Sequence, residues 1–122
     1  MKDSDWENVL HFTKDEFVQP EKIRADIVYV LDDIRKILGK PITITSSLRD
    51  AQHNLDVGGV QNSAHVLAAD GMYSGIDFAP AGGMTDHDKY VIMETLVHSI
   101  VHRIGIYKSH FHIDIEKRLT QN

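Results

Sequence analysis

The chain has no cysteine, which removes disulfides, thiolate nucleophiles and cysteine-ligated zinc together. Any metal site must therefore use His, Asp and Glu. Positive charge is scarce beside negative: 13 Lys and Arg stand against 18 Asp and Glu, a net charge of −5. With no basic patch to offset this, non-specific nucleic-acid binding is disfavoured. No apolar run approaches membrane-spanning length, and the start, Met1-Lys2-Asp3-Ser4-Asp5-Trp6-Glu7, is too polar for a signal peptide. The product is expected to be soluble and cytoplasmic when made, so an extracytoplasmic target would require another delivery route. Repeats and low-complexity tracts are missing as well. What remains is 122 residues, 42% hydrophobic and 25% charged, enough for one modest core. A single domain over 1–122, monomeric, is expected.

Along the chain, Thr13 with Glu16 three residues on has the pattern of a capping box, opening a helix that Pro20 keeps short. From Pro20 onward Ile23, Ile27, Val30, Leu31, Ile34 and Leu38 follow one helical face, and Gly39 with Pro41 ends the helix. Ile42-Thr43-Ile44-Thr45 is β-branched throughout and reads as a strand. The polar stretch from Ser46 to Gly59 reads as a long loop, a length more often functional than idle in a compact domain. Ile76-Asp77-Phe78-Ala79-Pro80 reads as a short strand and Ala81-Gly82-Gly83 as a turn. A helix is expected from Asp86 to His102, capped by Thr85 or Asp86. Arg103 to Tyr107 and Phe111 to Ile115 then form a closing hairpin around Lys108-Ser109. Helices and short strands alternate too irregularly for doubly wound units, so the expected class is α+β, a small antiparallel sheet with helices packed against it.

The last strand carries the chemistry. In Ser109-His110-Phe111-His112-Ile113-Asp114-Ile115 apolar and polar residues alternate, so His110, His112 and Asp114 project from one face. Such a face is either solvated, with two ordinary histidines, or buried against something that binds its polar groups. Upstream, His65 and Asp77 offer a further imidazole and carboxylate, and zinc favours such N and O donors. His65, Asp77 and His112 would supply the three protein ligands of a catalytic zinc site holding one ion. Such an ion lowers the pKa of water toward ~7 and polarises a carbonyl, which is hydrolase chemistry. Arg49 could fork onto a substrate carbonyl or carboxylate, or pair with Asp50 at the surface. His98 and His102, four apart at the end of the expected helix, are read as structural or surface residues together with His11, His53 and His87.

In order, Ile44-Thr45-Ser46-Ser47-Leu48-Arg49, Asn54, Val57-Gly58-Gly59, Asn62-Ser63-Ala64-His65, Gly75-Ile76-Asp77-Phe78-Ala79, Arg103-Ile104-Gly105-Ile106-Tyr107 and Phe111-His112-Ile113-Asp114 resemble the zinc D-Ala-D-Ala carboxypeptidase family. That family has the hedgehog-type fold and includes phage endolysins and other murein peptidases, and the similarity is strongest to small phage and bacterial members. The resemblance covers about Phe12 to Ile115. It implies that His65, Asp77 and His112 hold zinc, that Arg49 faces the substrate with Ser63 nearby, and that His110 lines the site. The implied substrate is a peptidoglycan stem peptide or a D-amino-acid dipeptide.

Two departures stand out. The family places a glycine three residues and the aspartate seven residues after the first histidine, whereas Ala68 and, twelve residues on, Asp77 stand here. An insertion around Asp70 to Ser74 accounts for the spacing and makes Asp70 a rival ligand. Many members also carry Glu or Asp three residues before the last histidine, where this chain has Ser109, which cannot accept a proton near neutral pH. Asp114 or His110 would have to act as base, Asp114 being preferred. The expected function is zinc-dependent hydrolysis of a cell-wall peptide bond, as a D,D-carboxypeptidase or an endolysin-like endopeptidase. The alternative is a non-catalytic, zinc-retaining binding or phage structural module of the same fold.

Overall fold

The computed structural model describes residues 1–48 and 65–115. Among these, strands β1 (Ile42–Ser46), β2 (Ile76–Pro80), β3 (Arg103–Ile106) and β4 (Phe111–Asp114) form one sheet in the order β1-β2-β4-β3. Every neighbouring pair is antiparallel. Helices α1 (Ala25–Leu38) and α2 (Asp86–Val97) accompany the sheet, giving the α+β class that the alternation of elements implies. No described helix is long and apolar enough to cross a membrane.

Period-2 alternation divides the sheet into two chemically distinct faces. Ile76 and Phe78 of β2 and Phe111 and Ile113 of β4 are fully buried, and the Phe78 and Phe111 rings stack with centroids 5.8 Å apart. They join Ile27, Val28, Leu31 and Ile34 of α1 and Ile92 and Leu96 of α2 in one core. Each such side chain contributes about 1.5–3 kcal/mol when buried. Asp77 on β2 and His112 on β4 lie between these apolar positions and therefore point to the other face. They are also direct partners in the β2–β4 ladder, so the strands that bury the core bring a carboxylate and an imidazole together.

Two helix boundaries differ from the expected ones. α1 begins at Ala25 rather than near Pro20, because Pro20–Lys22 is a 3-10 turn and Ile23 forms a parallel bridge with Tyr73. The bridge uses the Arg24 amide, which donates to the Tyr73 carbonyl at 3.0 Å, and the Lys22 carbonyl, which accepts from the Tyr73 amide at 2.9 Å. Backbone groups committed in this way are unavailable to a helix. α2 ends at Val97, so His102 is not helical. Beyond that end the Ser99 hydroxyl donates to the Leu96 carbonyl at 2.7 Å and accepts from the Val101 amide at 3.2 Å, a local side-chain alternative to another turn. The Thr85 cap is present, with its hydroxyl accepting from the Asp88 amide at 3.0 Å. Gly39 adopts φ 74° and donates to the Arg35 carbonyl at 3.0 Å, closing α1. Thr13 and Glu16 frame a 3-10 turn, Lys14–Glu16, with the Thr13 amide donating to the Glu16 carboxylate at 2.8 Å.

Candidate metal centre

Three ligand-type atoms converge on the polar face of the sheet. Asp77 Oδ1 lies 2.8 Å from His112 Nδ1 and 3.2 Å from His65 Nε2, and the two nitrogens are 3.2 Å apart. A tetrahedral ion bound at about 2.0 Å separates its ligands by about 3.3 Å. The triangle thus has the dimensions of one face of such a site. His65 is buried, while the side chains of Asp77 and His112 keep 14% and 21% of their surface exposed, which leaves the cluster open to a substrate.

Each imidazole is fixed from behind. His65 Nδ1 lies 2.7 Å from the Ser47 carbonyl, which only accepts, so Nδ1–H donates and Nε2 faces the cluster. The Ser47 carbonyl is delivered by the irregularity in β1, where the register with β2 shifts between Ile44 and Ser46, a bulge of the kind that redirects a chain beside a site. His112 Nε2–H donates to Asp114 Oδ2 at 2.6 Å. Asp114, itself buried, also accepts from Arg103 Nε at 2.9 Å.

With both rings neutral in these tautomers, two nitrogen lone pairs and a carboxylate oxygen face one another. That arrangement favours a cation between them. A proton can serve, and the electrostatics show it: burial by itself would lower the His112 pKa, but hydrogen bonds to Asp114 and Asp77 outweigh it and push the pKa up to about 9. Burial would raise the Asp77 carboxyl, yet bonds from His112 and His65 hold it well below the usual carboxylate range. A divalent metal satisfies the same three atoms without a proton, and the donor set of two imidazoles and a carboxylate is one zinc accepts. His65, Asp77 and His112 therefore form a group that could hold a metal ion.

A family model described as Peptidase M15 matches residues 8–116. The chain belongs to the peptidase M15 family. M15 members are zinc peptidases, so the match and the three-atom cluster point to one chemistry. No curated protein and no solved structure matches the chain.

Within this M15 domain the other candidate residues are distributed unevenly. Asp70, the rival to Asp77, lies apart from the cluster at an exposed position, paired with Arg24 and accepting from the Met72 amide at 3.0 Å. Beside it the chain forms a compact turn: the Ala68 amide donates to the Met72 carbonyl at 2.8 Å and the Gly71 amide to the Ala68 carbonyl at 2.9 Å. His110 precedes β4, at the hairpin tip, and stacks on Tyr107 with ring centroids 4.5 Å apart and planes within 5°. His98 and His102 are exposed and outside the cluster. Arg49 and Ser63, with most of the expected loop before His65, lie outside the described residues.

The contribution of Arg103 and of the Ser47 carbonyl goes beyond the residue-type reading. The former was accessible in principle: a hairpin turning at Lys108-Ser109 puts Arg103 opposite Asp114, and opposite charges directly across a ladder attract. The latter carries no sequence signal, because every residue has a carbonyl.

Proposed function

We propose that this M15 domain hydrolyses a peptide bond in bacterial cell-wall stem peptides, as a D,D-carboxypeptidase or an endopeptidase, with one zinc ion held by His65, Asp77 and His112. The observation that carries this reading is the convergence of one carboxylate oxygen and two imidazole nitrogens, each ring oriented by a hydrogen bond from its other nitrogen. A zinc ion held there makes hydroxide accessible near neutral pH and polarises a carbonyl. The chain's own groups do the rest. His65 and His112 present fixed lone pairs, and Asp77 supplies negative charge. Arg49 and Ser63 are assigned to substrate binding, Arg49 to the carbonyl or carboxylate, where a guanidinium fork suits the planar oxygens.

The proton acceptor is reassigned on geometric grounds. Asp114 engages Arg103 through one carboxylate oxygen and His112 through the other. It is 1% exposed, a setting suited to orienting a ring rather than meeting a solvent-borne proton. His110, half-buried beside Tyr107, is the remaining candidate for the base. Because no carboxylate replaces Ser109, a second reading stands beside the first: a zinc-retaining module of the same fold that binds wall peptides or serves a phage particle without turnover. Digestion of purified peptidoglycan, with mass analysis of the products and a chelated control, tests the proposal. New stem-peptide fragments that disappear on chelation are expected. Stoichiometric zinc with no product from either peptidoglycan or a D-Ala-D-Ala peptide would leave the binding module.

A further inference from the structure

Arg103 begins a hydrogen-bonded chain that ends at the converging ligand atoms. Its Nε–H donates to Asp114 Oδ1 at 2.9 Å, Asp114 Oδ2 accepts from His112 Nε2 at 2.6 Å, and His112 Nδ1 lies 2.8 Å from Asp77 Oδ1. Arg103 and Asp114 are direct partners in the β3–β4 ladder, so their contact is set by backbone register as well as by the reach of a long side chain. Asp114 is 1% exposed, and a buried carboxylate is costly without charge and donors around it. A neutral His112 has a single N–H to give. Arg103 brings a permanent positive charge and a second donor, aimed at the other oxygen.

We propose that Arg103 is a positioning residue for the metal site, acting through Asp114 to hold His112 with Nε2 protonated and the Nδ1 lone pair turned toward His65 and Asp77. The inference rests on the zinc reading above and extends it to a residue outside the ligand set. Without Arg103 the carboxylate loses the permanent charge beside it and the donor that holds Oδ1. The His112 ring then loses the fixed acceptor that selects its tautomer and orientation. Partners behind a metal-bound imidazole typically change metal affinity by about 10- to 100-fold. Lysine at this position would restore the charge but not the Nε geometry, so it should recover part of the loss. A merely structural arginine would instead lower the melting temperature of the metal-free and zinc-bound forms alike and leave zinc affinity unchanged.

The test measures zinc affinity by chelator competition for the whole chain and for Arg103→Met, Arg103→Lys, Asp114→Asn and the Arg103→Met/Asp114→Asn pair. The His112 tautomer is read by nitrogen NMR in the metal-free chain with the ring neutral. Arg103→Met is expected to weaken zinc binding by about 10- to 100-fold and to mix the tautomers, with Arg103→Lys intermediate. In the Asp114→Asn background the same change should cost less than about twofold, because coupled residues are not additive. Zinc affinity within about twofold of wild type in a folded Arg103→Met, or an equal loss in both backgrounds, would overturn the proposal. If Arg103→Met does not fold, Arg103→Lys in the two backgrounds carries the same comparison. A wild-type chain that takes up no zinc would overturn the zinc reading instead, and the tautomer of metal-free His112 in wild type and variant would still decide the role of Arg103.

Discussion

His112 joins the two parts of the centre: Nδ1 meets Asp77 and His65, and Nε2 meets Asp114. Removing that ring deletes one of three ligands and leaves Asp77 and Asp114 without a shared donor. His112→Ala is expected to abolish tight zinc binding, and full zinc occupancy in the folded variant would rule out the ligand set. The two aspartates give a sharper comparison. Asp77 has its Oδ1 in the triangle, whereas Asp70 is an exposed partner of Arg24, a type of ion pair that contributes little. Asp77→Ala should therefore lose zinc and Asp70→Ala should keep it, with metal analysis of the purified variants as the measurement. The opposite pattern would place the longer spacer after His65 on the wrong side of the ligand.

Among the elements, the β3–β4 hairpin sets most of the geometry. Gly105 stands opposite His112 in the ladder, and a β-carbon there would meet Tyr107 Cε2 at 2.9 Å and His112 Cβ at 3.2 Å. The bare backbone lets the Tyr107 ring fold back over the strand, where it stacks on His110. Of the two neighbours the Tyr107 ring is the mobile one, being 53% exposed, whereas His112 Cβ is fixed by its strand. Gly105→Ala should therefore displace Tyr107, break its stacking with His110 and destabilise the domain by about 1–3 kcal/mol, the usual range for overpacking. Ring-current shifts of the His110 protons together with a denaturant melt measure both effects. Unchanged His110 shifts would mean that the stacked pair does not depend on the glycine.

At the level of the whole molecule, the cluster links folding to pH with opposite signs at its two ends. His112 has its pKa raised from 6.5 to about 9 in the folded chain, so its contribution is complete below ~6.5 and is lost as pH rises through about 9. Asp77 is held below its ordinary value of 3.8, so its contribution is present above that value and is lost as pH falls. Metal-free protein should be most stable between about pH 5 and 6.5 and should melt progressively lower toward pH 9. Zinc replaces the proton shared by the three atoms, so zinc affinity should rise across the same alkaline interval. Thermal melts with chelator and with zinc, taken from pH 5 to about 9.5, measure this; a metal-free melting temperature that stays level up to pH 9 would contradict the shared proton. A cavity of about 730 Å³ between α1 and α2, lined by Tyr29, Val30, Ile37, Tyr90 and Ile100 among others, shares no residue with the centre.

Strand periodicity and the α1 pattern were legible in the sequence because they depend on local rules: alternation separates Ile113 from His112, and Gly39 ends a helix wherever it can adopt a positive φ. The candidate ligands His65, Asp77 and His112 were legible too, since their residue types and motif order lie in the linear chain. Helix ends were less so, because the Ile23–Tyr73 bridge and the Ser99 turn compete with helix through contacts that propensity does not describe. The grouping of Asp77 rather than Asp70 with His65 depends on a compact turn at Ala68 to Met72 and on the β2–β4 register. Likewise only the folded hairpin moves His110 onto Tyr107 and closes Asp114 between Arg103 and His112. Sequence alone determined which donors this protein carries and which strands carry them. Tertiary structure decided which donors meet and with what charge behind them, because a hydrogen bond between residues 103 and 114 or 77 and 112 requires the pairing of whole strands.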